Sequence, residues 1–336
     1  MGIKLGILGA TGAVGEEMLK VLAERNFPVE QLRLLASAKS AGQIINWQER
    51  AYVVEEVSEK SFKGLDILLV AVGNEISKKF SPIAVEQGVV VIDNSSAYRL
   101  DDDVPLVIPE VNPDDVRNHK GIIANPNCST IIALTAINEL NNYSKVVRMT
   151  VSTYQAVSGA GLEGIRELDD QIRQTMQGNN TVVSTFQYQI AYNLIPHIGA
   201  FTDNGYSEEE MKMQNEGAKI LHNPDLKVNC TCVRVPVYRS HSESITIETE
   251  NEISVEKAKS LLKNAKGVKL VDDLENNIYP MPLDSSNQDL IYVGRIRKDI
   301  SRDRSLALRC CGDQVRKGAA TNAVQIAELL VEFNLV

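Results

Sequence analysis

The chain has 336 residues, of which 43% are hydrophobic and 24% are charged, the composition of an ordinary globular protein long enough for two domains. Its net charge of −9 argues against a nucleic-acid partner, because phosphate backbones are bound by clustered lysines and arginines. Small anionic ligands are not excluded, since they need only a few local cations.

The five cysteines form neither a CxxC pair nor a zinc pattern, so we predict no metal and expect reduced thiols in the cytoplasm. The apolar start of the chain is short and lacks a cationic flank and a cleavage site, so we expect no signal peptide. The apolar run Leu65–Val72 is far shorter than the ~20 residues of a membrane helix, so we expect no membrane partner.

The first third of the chain alternates short apolar runs with amphipathic stretches. Four strands are predicted there, at Ile3–Leu8, Leu32–Ser37, Asp66–Val72 and Val89–Asn94. Weaker strand candidates are Leu106–Ile108 and Ile122–Ala124. After the first strand, apolar residues recur on one helical face at Val14, Met18, Val21 and Leu22. Strands that alternate with helices predict an α/β fold with parallel βαβ units, that is, a Rossmann-like domain.

The glycine loop Gly9–Gly15 follows the first strand and opens the first helix. Glycines at this place allow a tight turn and close approach of a pyrophosphate, and a helix N-terminus attracts its charge. The spacing is GxxGxxG rather than the commoner GxGxxG. The loop therefore predicts dinucleotide binding, and the alternative is a purely structural turn.

The end of the second strand bears on the choice of cofactor. Enzymes that bind NAD usually place an acidic residue there, to accept hydrogen bonds from the ribose 2′-hydroxyl. This chain has Lys39 flanked by Ser37 and Ser40 and no acid. A cation between hydroxyls suits a 2′-phosphate and favours NADP, unless Lys39 is only a solvated loop residue.

Cys128 lies between a strand candidate and the apolar helix Ile131–Leu140, next to Asn127 and the stiffening Pro126. A thiol at a helix N-terminus is a better nucleophile at neutral pH, so Cys128 is the candidate nucleophile. The alternative is an inert buried cysteine. The other four cysteines lie inside β-rich runs and are interpreted as packing residues.

Four histidines could supply a base near the thiol. His119 and His222 lie in polar loops, and His197 follows a proline. His241 begins a predicted strand directly after a cationic segment, which makes it the acid/base candidate. Spacing alone also allows a structural role for it.

After about residue 145 the pattern changes to longer β-rich stretches. These stretches are Val146–Tyr154, Val228–Tyr238, Ser244–Glu250, Leu290–Arg297 and Leu306–Cys311. Helical patterns lie between them, at Leu162–Met176, Glu208–Leu221 and Val255–Asn264. This order predicts an α+β domain with a mixed or antiparallel sheet. A C-terminal helix, whose apolar face is Ala320, Val324, Ala327 and Val331, is expected to return to the first domain.

At these residues the sequence resembles the aspartate-β-semialdehyde dehydrogenase family, and looks closest to its form in Gram-positive bacteria. The resemblance covers nearly the whole chain and is carried by several separate motifs. They are GATGAVG at Gly9–Gly15, SSAYR at Ser95–Arg99, VIPEVN at Val107–Asn112, NPNCST at Asn125–Thr130, YQAVSGAG at Tyr154–Gly161, EEMK at Glu209–Lys212, RVPVYRSH at Arg234–His241 and GAATNAVQIAE at Gly318–Glu328.

The resemblance implies a reaction. Cys128 attacks the aldehyde of L-aspartate 4-semialdehyde, hydride passes to NADP, and inorganic phosphate releases the thioacyl group as L-4-aspartyl phosphate. Biosynthesis runs the reverse way, toward lysine (through diaminopimelate), threonine and methionine. The alternatives are another phosphorylating dehydrogenase, such as N-acetyl-γ-glutamyl-phosphate reductase or a glyceraldehyde-3-phosphate dehydrogenase, and a non-enzymatic NADP sensor.

The resemblance also implies residue roles. His241 is the general acid/base, Gln155 orients the thioacyl or substrate group, and Arg234 pairs with the substrate α-carboxylate. Glu209 meets the substrate ammonium, although the sequence does not decide between Glu209 and Glu210. The expected phosphate-binding residues are Arg99, Asn127 and Lys212.

For the cofactor, the resemblance carries over twelve positions. They are Gly9, Thr11, Gly12, Ala13, Val14, Ser37, Lys39, Ser40, Gly73, Ser158, Gly159 and Asn322. The segment Ala71–Asn74 departs from the family by lacking small hydroxyl residues, so its cofactor contacts are the least supported. We predict an NADP-binding domain of residues 1–127 and 318–336, a catalytic and dimerisation domain of residues 128–317, and a homodimer.

Overall fold

The computed structural model describes residues 2–336. The chain divides into two compact units. The first unit comprises the residues up to Asn127 together with Ala319–Val336, and the second comprises Cys128–Gly318.

The first unit is built around a six-stranded sheet. Its elements up to residue 127 are β1 (Ile3–Leu8), α1 (Ala13–Glu24), β2 (Val29–Ala36), β3 (Ile44–Trp47), β4 (Arg50–Val53), β5 (Glu55–Glu56), β6 (Ile67–Val70), α2 (Asn74–Glu86), β7 (Val90–Asp93) and β8 (Ile122–Ala124). The sheet order is β5-β2-β1-β6-β7-β8, and every pairing is parallel. All residues of β6 and β7 are buried, as expected for parallel strands covered on both faces.

The strand order of this sheet locates its ligand edge. The chain moves outward from β1 to β2 on one side, and then returns to β6 on the other side of β1. In such doubly wound sheets ligands bind beyond the carboxyl ends of the strands where the order reverses. The glycine loop between β1 and α1 lies at this point.

The second unit contains a different six-stranded sheet. Its elements are α3 (Cys128–Tyr143), β9 (Val146–Gln155), α4 (Gly161–Met176), α5 (Glu208–Ile220), β10 (Lys227–Arg234), β11 (His241–Thr249), α6 (Val255–Lys263), β12 (Val268–Leu270), α7 (Pro282–Ser285), β13 (Ile291–Lys298) and β14 (Ser305–Gly312). The order is β10-β9-β11-β14-β13-β12. The two outer pairs are parallel and the inner pairs are antiparallel, so the predicted mixed sheet is confirmed. Helix α3 packs against β9, β11, β13 and β14.

The last helix, α8 (Thr321–Glu332), belongs to the first unit, as predicted. Its residues Ala323, Val324 and Ala327 are fully buried in the same core as Met18 of α1. Val331, which was expected on the apolar face, is only partly buried. Among residues 2–336, every helix is too short or too polar to cross a bilayer.

Several predicted element limits were wrong. The strand predicted to reach Tyr238 ends at Arg234, two residues before Pro236, which has no N–H to donate to a neighbouring strand. Leu106 forms only an isolated bridge with Ala124 instead of a strand. The β3–β4 hairpin was missed because its turn residues, Gln48 and Glu49, adopt positive φ without the usual glycine or asparagine.

Candidate active site

Three strand ends meet at one edge of the second sheet. β9 ends at Gln155 and β10 ends at Arg234, and these residues are direct partners in a parallel pair. β11 runs in the opposite direction and begins at His241, next to the pair formed by Ser242 and Tyr154. The topology therefore gathers an amide, a guanidinium and an imidazole that are distant in sequence.

Cys128 is the first residue of α3, in the same unit, and is partly buried. A helix N-terminus attracts negative charge, which favours the thiolate form of a thiol placed there. A Cβ added at Gly318 would lie 3.0 Å from the Cβ of Cys128, so a side chain at this position would crowd the cysteine.

Gln155 is held between two polar side chains. Its Nε2 donates to Ser129 Oγ at 2.9 Å and to Glu209 Oε1 at 3.3 Å. Lys212 Nζ donates to the other oxygen of Glu209 at 2.9 Å. The predicted residues Gln155, Glu209 and Lys212 therefore form one hydrogen-bonded chain that begins next to Cys128.

The start of α5 distinguishes Glu209 from Glu210. Ser207 and Glu210 form a capping box, in which each side chain accepts from the backbone of the other. Glu210 Oε1 also accepts the N–H of Cys232 at 3.0 Å. Glu210 is thus committed to the backbone, and the carboxylate that faces Gln155 is that of Glu209.

Arg234 is buried, and its Nη1 donates to the carbonyl of Ala156 at 2.7 Å. Burial lowers the pKa of the guanidinium, and the negative charges of Glu209 and Cys128 oppose that shift. A Cβ added at Gly159 would lie 2.6 Å from Nη1, so the glycine leaves this group its room. Arg234 is thus a desolvated cation whose electrostatic neighbours include the candidate nucleophile.

His241 is completely buried, and its Nδ1 accepts the N–H of Ala156 at 3.1 Å. Its Nε2 has no hydrogen-bond partner among residues 2–336. Burial, and then the charge of Arg234, lower the pKa of His241 to about 3, with Glu209 opposing. The ring is therefore neutral near pH 7. A Cβ at Gly159 would lie 3.4 Å from Nε2, so the glycine keeps that side open.

Two residues of this unit were missed by the sequence analysis. Ser129 holds Gln155, and its place beside Cys128 in the NPNCST motif was the available signal. Gln314 accepts the N–H of Ser240 at 2.9 Å, and its Nε2 donates to Ser158 Oγ. It thereby links the predicted cofactor turn, Val157–Ala160, to the residue before His241. No spacing pattern pointed to Gln314.

The first unit contains the glycine loop. Gly9 has a φ of +91°, and a Cβ there would overlap the carbonyl of Ala71. A Cβ at Gly15 would overlap the carbonyl of Gly9, so both positions require glycine. Gly12 is the N-cap of α1, and no side chain caps that helix start. Its first N–H groups are therefore suited to bind a phosphate group.

The end of β2 lies against this loop. Thr11 Oγ1 donates to Ser40 Oγ at 3.3 Å, and the N–H of Ser40 donates to the carbonyl of Ser37 at 2.9 Å. Lys39 is exposed in the same turn. Gly73 immediately precedes α2, another helix start without a side-chain cap. The donor set of this unit fits a dinucleotide with an extra phosphate.

Arg99 and residues Asn125–Asn127, the start of the NPNCST motif, come together in the first unit. Arg99 is buried, and its Nε and Nη2 donate to the carbonyls of Asn125 at 2.9 Å and Asn94 at 2.8 Å. Asn127, two residues further on, is buried as well. The Asn322 amide donates to Asn125 Oδ1 at 2.7 Å and to the carbonyl of Val107 at 2.9 Å.

Two family models match this chain. The family model "Semialdehyde dehydrogenase, NAD binding domain" matches residues 4–119, and "Semialdehyde dehydrogenase, dimerisation domain" matches residues 138–317. Aspartate-semialdehyde dehydrogenase of Aquifex aeolicus is 51% identical over 340 residues, covering 100% of both chains. That of Bacillus subtilis is 46% identical, covering 100% of this chain and 99% of its own.

Solved structures show the same likeness. Aspartate semialdehyde dehydrogenase II of Vibrio cholerae, complexed with ASA, is 46% identical with a TM-score of 0.97 and covers 99% of each chain. The enzyme of Candida albicans with NADP is 25% identical with a TM-score of 0.78 and covers 100% of each chain. The predicted closeness to the Gram-positive form stays a prediction. The predicted family is confirmed, and the chain belongs to the aspartate-semialdehyde dehydrogenase family of oxidoreductases.

Proposed function

We propose that this chain is an NADP-dependent, phosphorylating aspartate-semialdehyde dehydrogenase that works through a thioacyl group on Cys128. It oxidises L-aspartate 4-semialdehyde to L-4-aspartyl phosphate and runs in reverse in the biosynthesis of lysine, threonine and methionine. The observation that carries this proposal is the meeting of Gln155, Arg234 and His241 at one sheet edge, in the unit whose first helix begins with Cys128.

The chemistry begins with the Cys128 thiolate, which attacks the aldehyde carbon while the carbonyl oxygen takes the electron pair. NADP, held at the glycine loop Gly9–Gly15, would supply the acceptor for the hydride that leaves this carbon. The C–S bond then forms part of a thioester, which is reactive enough to be opened by an oxygen of inorganic phosphate. The C–S bond breaks, the acyl phosphate leaves, and the thiolate of Cys128 is restored.

His241 is proposed as the acid/base residue beside this centre. Because Nδ1 accepts the N–H of Ala156, the neutral ring carries its proton on Nε2. Nε2 is therefore the atom that can donate to the substrate oxygen as it gains negative charge. The room that Gly159 leaves beside Nε2 supports this placement.

Substrate selection follows from two opposite charges in one unit. Arg234 fits a carboxylate through paired hydrogen bonds, and Glu209 fits an ammonium group. Together they match the zwitterionic end of an α-amino acid. N-acetylated or triose substrates lack that ammonium, so the arrangement favours the aspartyl substrate over both rivals. Gln155, held between Ser129 and Glu209, is proposed to orient the acyl group.

The remaining contacts stay proposals. Arg99, Asn127 and Lys212 are proposed to bind phosphate, as donors of charge-assisted hydrogen bonds. The twelve cofactor positions named from the sequence are proposed to bind NADP, and Lys39 to meet its 2′-phosphate. The dimerisation-domain match supports a homodimer of this chain, and we propose that it works in the cytoplasm.

The decisive assay follows NADPH formation from L-aspartate 4-semialdehyde with and without inorganic phosphate, on the wild type and on Cys128→Ala. We expect phosphate-dependent turnover that the variant loses by at least about a thousandfold, because the nucleophile is removed. N-acetyl-L-glutamate 5-semialdehyde and glyceraldehyde 3-phosphate serve as comparison substrates. Turnover of either one, and not of the aspartyl aldehyde, would refute the proposal.

A further inference from the structure

The chain between α4 and α5 runs through residues 177–207 without a regular helix or strand. Where such a segment is buried, its backbone N–H groups need partners from elsewhere. The fully buried Gln171 of α4 supplies them, because its Oε1 accepts the N–H of Ile190 at 2.9 Å and of Ala191 at 3.0 Å. Its Nε2 donates to the carbonyl of Val182 at 2.9 Å.

Glu167, one turn before Gln171 on the same helix, holds the same segment. Its carboxylate accepts the N–H and the hydroxyl of Ser184, and the N–H of Thr185. Burial acts to raise the pKa of the Glu167 carboxyl, but the hydrogen bonds from Thr185 and Ser184 outweigh burial. The net effect lowers the pKa of Glu167, so the group stays charged. Glu167 and Gln171 are also joined at 3.0 Å, so a connected pair fixes residues 182–191.

This fixed segment places Phe186 beside the predicted carboxylate-binding residue. The ring centroid of Phe186 lies 5.9 Å from the guanidinium carbon of Arg234, within the range of a cation–π contact. The same ring packs with Val157 and Leu168 in a small apolar cluster. Further along, Ile195 exchanges both backbone hydrogen bonds with Arg234, at 3.0 and 2.8 Å.

Arg234 is thus held from two directions. The carbonyl of Ala156 fixes Nη1, and the ring of Phe186 lies over the guanidinium. An aromatic face keeps water from a cation, and a charge pair is stronger where water is excluded. Glu209 is close enough to act on the pKa of Arg234, so the guanidinium and the carboxylate that the two ends of an amino acid require lie near each other.

We infer that Phe186 is a positioning residue for substrate recognition, which holds and desolvates Arg234 so that it binds the substrate carboxylate. This inference rests on the proposed function, because it takes Arg234 as the carboxylate-binding group. It assigns the irregular segment after α4 to affinity for the substrate rather than to the chemical step.

The test is steady-state kinetics of Phe186→Leu, which keeps apolar bulk and removes the ring. We expect KM for L-aspartate 4-semialdehyde to rise about three- to fivefold, with kcat and the KM values for phosphate and NADP within about twofold of wild type. Phe186→Tyr keeps the aromatic ring and should keep the KM of the wild type. Tyr143→Leu, at the end of α3 and 53% exposed, is the matched control and should leave KM unchanged.

A double-mutant cycle with Arg234→Lys separates positioning from general support of the fold. If Phe186 acts through the guanidinium, adding Phe186→Leu to Arg234→Lys should raise KM no further. An unchanged KM in Phe186→Leu, additive losses in the cycle, or equal effects of Tyr143→Leu would each overturn the inference. A wild type without phosphate-dependent turnover would instead refute the proposed function.

Discussion

His241 and Glu243 occupy alternate positions on β11, so their side chains lie on one face of the sheet. Both are completely buried, and burial moves their pKa values in opposite directions, downward for His241 and well upward for Glu243. Burial therefore favours the neutral form of each group. Glu243 pairs across the sheet with Thr153 on one side and Cys310 on the other. It therefore lies two residues further into the sheet than His241, on the same strand.

This burial predicts a pH dependence of stability at the residue scale. The folded-state pKa of Glu243 lies above its usual value of 4.5, so its contribution to stability is present below pH 4.5 and is lost as the pH rises. Glu243→Gln cannot ionise. We expect its free energy of unfolding, relative to wild type, to increase between pH 4.5 and pH 7.5.

Urea unfolding of both proteins at the two pH values measures this difference. Other titrating groups, including His241, are common to both chains and cancel in the comparison. If the difference in free energy of unfolding between the two proteins stays constant with pH, the pKa of Glu243 does not change on unfolding.

At the scale of elements, periodicity and local motifs predicted the structure where the contacting residues are close in sequence. The apolar spacing of α1 and the glycines before it predicted that helix, and the helical pattern Glu208–Leu221 predicted α5. The motifs also selected the residues that the sheet edge gathers. Contacts between distant residues were out of reach, such as Phe186 with Arg234, because no local pattern records them. Which of Glu209 and Glu210 faces Gln155 could be decided only from the hydrogen bonds that Glu210 makes to the backbone.

The segment after α4 should depend on one side chain of that helix. Gln171→Ala removes the acceptor of two buried N–H groups, at Ile190 and Ala191. Unsatisfied buried groups are costly, so we expect a loss of about 1–3 kcal/mol in the free energy of unfolding. Residues 182–191 should also become more sensitive to protease, and KM for the semialdehyde should rise.

The exposed Gln177, just past the end of α4, provides the control for this change. Gln177→Ala should alter stability, proteolysis and KM little. Equal protease sensitivity in the two variants would show that Gln171 does not hold the segment.

At the scale of the whole molecule, the two units divide the predicted roles. The first carries the glycine loop and the second carries the candidate nucleophile and its neighbours. The second also exposes several large apolar side chains between residues 176 and 201. They are Met176, Val182, Val183, Tyr188, Tyr192, Leu194 and Phe201.

We expect a homodimer that uses part of this exposed surface. Analytical ultracentrifugation should give about twice the chain mass of 37.0 kDa. Leu194→Glu places a charge at a side chain that is 59% exposed, and should shift the equilibrium toward monomer. Ile44→Glu, 64% exposed in the first unit, is the matched control and should stay dimeric. A monomeric wild type would contradict this expectation, and a dimeric Leu194→Glu would place the interface elsewhere.

The capping box at the start of α5 has a consequence for how related chains can vary in length. Ser207 and Glu210 fix the first turn of the helix, and each further residue advances by about 100° around the axis. Glu209 and Lys212 are three positions apart, and one residue deleted between them would leave them two apart, about 200° around the axis, so the lysine would leave the carboxylate it now binds. One inserted residue would leave them four apart and still on one face of the helix. Between these two residues an insertion therefore keeps the pair together, but a deletion would separate it.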